Sequence, residues 1–159
     1  MTSVPVITKP VQPPTPGNIH QTVQPSKAKV LSPVAMSATA IFGNGVTANV
    51  ISRRTAPVQA TLPHEVSGKA AVVEIRISNG TSRAVSLRNV VLTAKDAAGT
   101  PLVEMGSSPS APLSGSVAAD GQATGVYVFK FPANYRTPLT LSISYSTATP
   151  VAIFVGDVR

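Results

Sequence analysis

Gln122-Ala123-Thr124-Gly125-Val126-Tyr127-Val128-Phe129-Lys130-Phe131 places Tyr127, Phe129 and Phe131 at every second position. Leu139-Thr140-Leu141-Ser142-Ile143-Ser144-Tyr145 alternates apolar and polar residues without a miss. A period of two puts successive side chains on opposite faces of an extended chain, so both stretches read as strands with one face on a core. No window carries apolar residues at helical spacing over three turns, and Gly or Pro interrupts almost every candidate helix.

The same pattern continues outward from these two strands. Ala71 to Ser78 places Val73, Ile75 and Ile77 on one face and Glu74 and Arg76 on the other. Asn79-Gly80 then has the chemistry of a tight hairpin turn at positive φ, leading into Arg88 to Lys95. Val46 to Ser52 reads as a first strand that ends in a loop through Pro57 and Pro63. Asp96 to Thr100 is a turn with Gly99 as its permissive residue, and Val151 to Val155 is a last strand. Leu102 to Met105 and Leu113 to Val117 are weaker pieces, suited to sheet edges that Pro101, Pro109 and Pro112 shield from stray pairing. Seven or eight short strands divided by turns predict an all-β, immunoglobulin-like antiparallel sandwich over residues 46–159.

Residues 1–45 have a different texture. Seven of the fifteen prolines fall in residues 1–33. Proline fixes φ and lacks an N–H, so this segment reads as an extended polyproline arm, spanning on the order of 100 Å at ~3.1 Å per residue. The formal net charge is +7. Residues 1–64 contribute Lys9, Lys27, Lys29, Arg53 and Arg54 with no Asp or Glu, whereas the remainder is nearly balanced. These five cations are the candidate partner contacts of the arm and of the domain's leading edge. They are too sparse for a nucleic-acid surface, which leaves protein subunits of an assembly or a cell-surface polymer as the expected partners. Arg53 and Arg54 are adjacent on an expected strand, so they point to opposite faces and cannot form one clamp.

Several kinds of chemistry lack their residues. The chain has no Cys, which removes disulfides, thiolate catalysis and cysteine-based zinc sites. His20 and His64 stand apart, and neither has a carboxylate at metal-ligand spacing. No G-x-S-x-G elbow occurs. Gly43-Asn44-Gly45-Val46-Thr47-Ala48 matches a dinucleotide loop in form, but a β-branched strand follows where a helix is required. No cofactor, metal or catalytic residue is therefore expected. Asn79-Gly80-Thr81 fits a glycosylation acceptor, but turn geometry explains Asn-Gly at an expected hairpin in full and is the stronger reading. No stretch is long and apolar enough to span a membrane. The run Val30 to Phe42, with Lys27 and Lys29 before it, is broken by Pro33 and polar residues and is not read as a signal peptide.

Asp120-Gly121-Gln122 through Phe129 resembles the tyrosine corner and following strand of immunoglobulin-like domains, with Phe129 where a disulfide cysteine would stand. Pro63 to Lys69, Val72 to Ile77 with Asn79-Gly80-Thr81, and Tyr127 to Pro132 resemble small cysteine-free immunoglobulin-like domains of actinobacterial surface proteins and of phages that infect those bacteria. The resemblance implies structural roles for Tyr127, Phe129, Gly80 and Gly121. With a basic extended arm, no readable export signal and a compact domain without an active site, the expectation is a non-enzymatic accessory protein of a larger assembly, foremost a phage virion (capsid) decoration or accessory protein anchored through its arm and oligomeric only within that assembly. The alternative is a secreted or cell-surface binding module.

Overall fold

The computed structural model describes residues 29–158. Eleven strands build it: β1 (Val34–Ala35), β2 (Thr39–Ile41), β3 (Val46–Val58), β4 (Gly68–Asn79), β5 (Val85–Ser86), β6 (Val91–Lys95), β7 (Val103–Met105), β8 (Ser116–Val117), β9 (Gln122–Lys130), β10 (Leu139–Ser144) and β11 (Ala152–Gly156). One sheet has the order β2-β3-β4-β9-β7, the other β1-β11-β10-β6, and β5 and β8 form a short ribbon. Within these orders, β3-β4-β9-β7 follows the A-B-E-D succession and β11-β10-β6 the G-F-C succession of an immunoglobulin-like sandwich. The two sheets close on one core that includes Val73, Ile75, Ile77, Phe129, Leu139, Leu141, Ile143 and Phe154.

The strands form where alternation is cleanest, and their inner positions supply the core. In β10 the pattern is strict: Leu139, Leu141 and Ile143 are fully buried, and the hydroxyl residues between them face outward. β9 is buried on both sides. Tyr127 and Phe129 enter the main core, while Val128 joins Val58, Ala70, Val72 and Met105 in a smaller cluster on the outer face.

Three expectations are corrected. First, the boundary at residue 45/46 lies too late. β1 pairs in parallel with β11, β2 pairs with β3, and Met36, Ala40 and Phe42 are core residues, so the folded domain begins by Val30. The turn Gly43-Asn44-Gly45 closes the β2–β3 hairpin, with both glycines at positive φ.

Second, β3 does not stop before Pro57. A bulge between Val50 and Ser52 resets its register, and pairing with β4 then runs on to Val58↔Gly68. β2 covers β3 only from Thr47 to Asn49, so Pro57 lies on an open edge where its missing N–H costs no ladder bond.

Third, Asn79-Gly80 is not a hairpin turn. β4 pairs with β3 and β9, whereas β6 lies in the opposite sheet beside β10. The chain crosses between sheets here, and neither residue has positive φ. Gly80 is required for a close approach instead: its N–H donates to Gly45 O at 2.8 Å, and a Cβ would lie 2.9 Å from that oxygen.

Candidate functional site

The chain has four Phe and three Tyr. Phe42, Tyr127, Phe129, Tyr145 and Phe154 are buried in the core. Phe131 and Tyr135 are only partly buried, and both line one cleft at an end of the sandwich. The elements explain the convergence. Phe131 follows β9 on its core-facing side and emerges where that sheet runs out, its N–H donating to Lys69 O. The segment 132–138 then turns toward β10, and the Tyr135 N–H donates to Pro132 O at 3.2 Å, which folds the second ring back onto the first. The ring centroids are 4.3 Å apart at an interplanar angle of 45°.

Pro132, Val158, Thr55 and Lys69 complete the walls of the cleft, whose volume is about 480 Å³. That size falls within the ordinary range for ligand sites, and an aromatic wall with a few polar groups is their usual lining. The Tyr135 hydroxyl is buried and has no hydrogen-bond partner among the described residues. Burial raises its pKa, and the nearby Asp157 and Asp96 carboxylates raise it further, so the phenol stays neutral. Such a surface can stack against flat or ring-shaped groups.

Asp96 fixes the loops beside this cleft. It is 3% exposed, and its carboxylate accepts from the Ala98 and Thr100 N–H groups at 2.9 Å and from the Arg136 N–H at 3.4 Å. Burial alone would raise its pKa; the amides of Thr100, Arg136 and Ala98 outweigh that and hold it below the usual value.

A second pocket, of about 180 Å³, is lined by His64, Glu65 and Lys130, with Ser107 close behind Glu65. A histidine, a carboxylate and a serine in one place would suit a hydrolase if the histidine stood between the other two. Here the Ser107 hydroxyl donates directly to the Glu65 carboxylate and accepts from the Thr61 N–H at 2.8 Å. That hydrogen bond, with the Gly106 and Ser107 amides, holds the Glu65 pKa low against its partial burial. Ser107 is 1% exposed, so this arrangement pins the 59–67 loop to Gly106 and leaves no accessible nucleophile at that serine.

The residues singled out from sequence are dispersed. Lys9 and Lys27 lie outside the described residues. Lys29 marks the point where the chain enters the fold, its carbonyl accepting from Val151 N–H at 2.8 Å. Arg53 and Arg54 oppose Val73 and Val72 of β4 and so occupy opposite faces. The Arg53 Nε donates to Asp157 O at 2.7 Å, bridging the gap between the sheets, whereas Arg54 is exposed on the outer face.

Tyr127 accepts a 3.1 Å hydrogen bond from the buried Leu113 N–H. The correspondence to a corner tyrosine is corrected by topology: that residue stands near the start of strand F, whereas β9 occupies position E, so Phe129 does not occupy the F-strand cysteine position either. Gly121 donates to Ala118 O at 2.9 Å, and a Cβ there would lie 3.0 Å from the same oxygen.

Asn79 is 1% exposed. Its Nδ2 donates to the carbonyls of Arg83, Val117 and Ala118, and its Oδ1 accepts from the Thr81 N–H and hydroxyl. The nitrogen that a glycan would occupy is therefore committed inside the fold. The Phe131–Tyr135 pair was not singled out as a site, although Phe131-Pro132-Ala133-Asn134-Tyr135 brings two aromatics together across a turn.

No protein-family model matches the chain, and no curated protein matches it. Among solved structures it is similar to the yjhA protein from Bacillus subtilis, with a TM-score of 0.60 at 11% identity over 76% of this chain and 98% of that one. It is also similar to an uncharacterized β-sandwich protein from Clostridium difficile 630, with a TM-score of 0.49 at 9% identity over 81% and 96% of the two chains. The first likeness bears on fold alone.

Proposed function

We propose that this chain is a non-enzymatic structural or accessory protein of a larger assembly, in which the Pro-rich basic segment preceding Val30 contacts neighbouring protein subunits and the sandwich presents a binding surface. The observation that carries this reading is the convergence of the two surface-reaching aromatics, Phe131 and Tyr135, in a single open cleft. Aromatic side chains at a surface dominate the energetics of recognition, and this chain has few to spend. The Ser107–Glu65 hydrogen bond supports binding over catalysis, because the place among the described residues where His, carboxylate and Ser meet is organised as a loop anchor.

The finer reading is a phage virion decoration or accessory protein. It draws on the resemblance of Pro63 to Lys69, Val72 to Ile77 and Tyr127 to Pro132 to domains of actinobacterial surface proteins and their phages, and on the basic arm. Limited proteolysis with trypsin tests it, on the dilute chain and on particles purified from its source. The expected result is rapid cleavage after Lys27 in the free chain, since Pro10 closes the Lys9 bond to trypsin and Lys29 is tied to Val151, and protection of that site in the particle. Recovery of the protein from cell walls or culture medium, with the site open in both settings, would overturn it in favour of a cell-surface module.

A further inference from the structure

The domain has two unlike ends. At one, the chain enters beside Val151, where the Leu31 N–H donates to Val151 O at 2.9 Å and the Val151 N–H donates to Lys29 O at 2.8 Å. At the other, Val158 lines the cleft with Phe131 and Tyr135. β11 runs from the first end to the second, and β1 lies parallel to it, with Val34 beside Phe154 and Ala35 beside Val155. Followed toward the N-terminus, the chain therefore runs from Ala35 to Lys29 away from the cleft. At ~3.3 Å per residue, the stretch from Val151 to Val158 separates the two ends by roughly 23 Å. For the preceding segment to reach its own cleft it would have to reverse direction along the whole domain.

The cleft and that segment are chemically matched. Lys9-Pro10-Val11-Gln12-Pro13-Pro14-Thr15-Pro16 repeats proline at intervals of three. A polyproline II helix has three residues per turn, so Pro10, Pro13 and Pro16 would share one face. Aromatic-lined grooves take such ridges because the rings pack on the pyrrolidines and little chain entropy is lost. Residues 1–28 carry cations and no acid; among the described residues the one charged side chain lining the cleft is Lys69, so the match rests on the rings and the prolines and not on charge.

We infer that the cleft lined by Phe131, Tyr135 and Pro132 receives the Pro10–Pro16 segment of a second copy of this chain. This rests on the arm acting as an assembly contact and adds what the arm grips. The contact joins two different surfaces, so it either closes by reciprocal exchange between two copies or propagates into rings or open rows.

Mixing ordinary and isotopically heavy full-length chain, then treating the mixture with an amine-reactive cross-linker, tests the inference by mass spectrometry. Lys69 lines the cleft, and Lys9 flanks the proline segment. The expected products join Lys9 of one isotopic form to Lys69 of the other. Their yield should rise with protein concentration and fall at least several-fold in the arm variant Pro13→Ala/Pro16→Ala, whose substitutions leave the sandwich untouched. Cross-links confined to single chains, no Lys9–Lys69 product at any concentration, or undiminished products in the arm variant would each overturn it. So would a neutral oligosaccharide such as chitotetraose perturbing the Phe131 and Tyr135 ring resonances while no mixed product forms, because the cleft would then be a sugar site. If arm lysines are protected in the source particle but mixed products are absent, the assembly role stands and this inference alone falls.

Discussion

Single side chains hold the crossings of this sandwich together. Asn79 satisfies carbonyls and an amide from two stretches of chain, 81–83 and 117–118, where β4 gives way to the other sheet. Removing it leaves several buried polar groups without partners, each costing about 1–3 kcal/mol. Asn79→Ala should therefore lower stability by roughly 3 kcal/mol, read from denaturant unfolding; a loss within error of zero would show the hub to be dispensable. Tyr127→Phe strands the buried Leu113 N–H alone and should cost about 1 kcal/mol, with an unchanged thermal midpoint counting against the hydrogen bond. Glu65 and Asp96 add a pH dependence. Both have folded pKa values below their ordinary 4.5 and 3.8, so their stabilisation is present above those values and is lost as pH falls through the folded ones. Thermal midpoints measured from roughly pH 7 to pH 3 should fall on the acid side, less steeply in Ser107→Ala, where the largest cause of the Glu65 shift is gone.

Strand edges carry their own logic. β7 is three residues long and forms one edge of the larger sheet, and Glu104 opposes Phe129, on the core-facing side of that edge. An inward-pointing carboxylate on a short edge strand discourages another strand from adding there. Glu104 stays exposed at this edge, and partial desolvation by its neighbours raises its pKa. Glu104→Val should raise the thermal midpoint while increasing self-association by light scattering; a variant no more prone to associate than the parent would remove the protective role. How much of these elements sequence reveals depends on length and alternation. β9 and β10 have six or more residues with apolar side chains at every second position on the core face, and β4 is legible for the same reason. β1 and β2 are two and three residues long, near a proline, and owe their pairing to partners far along the chain, which no local pattern records. Asn79-Gly80 misled because the dipeptide suits a hairpin turn locally, while the choice between hairpin and sheet crossing is made by packing against Gly45 and Gly121.

For the whole molecule, the consequence is an earlier start for the fold and a correspondingly shorter segment before it. Met36 and Phe42 are 2% and 4% exposed, and burying such side chains stabilises a domain by about 2–5 kcal/mol each. Deleting residues 1–45 should therefore abolish cooperative unfolding, whereas deleting residues 1–28 should leave the transition intact; equal behaviour of the two truncations would return the boundary to residue 45. The site was less legible than the fold. Its aromatics sit four residues apart, but the walls come from Thr55, Lys69 and Val158, which only the closed sandwich gathers. The cations read from sequence as contacts divide between the arm, the entry point and two opposite faces of β3, so the domain itself offers no basic patch built from them. Anchoring through the arm is then the claim on which the functional account depends. It is tested most directly by rebinding purified chain to source particles stripped of it, comparing the full-length protein with the chain lacking residues 1–28. The account predicts that the full-length chain rebinds and the truncated one, with the same unfolding transition, does not; equal rebinding of both would contradict it.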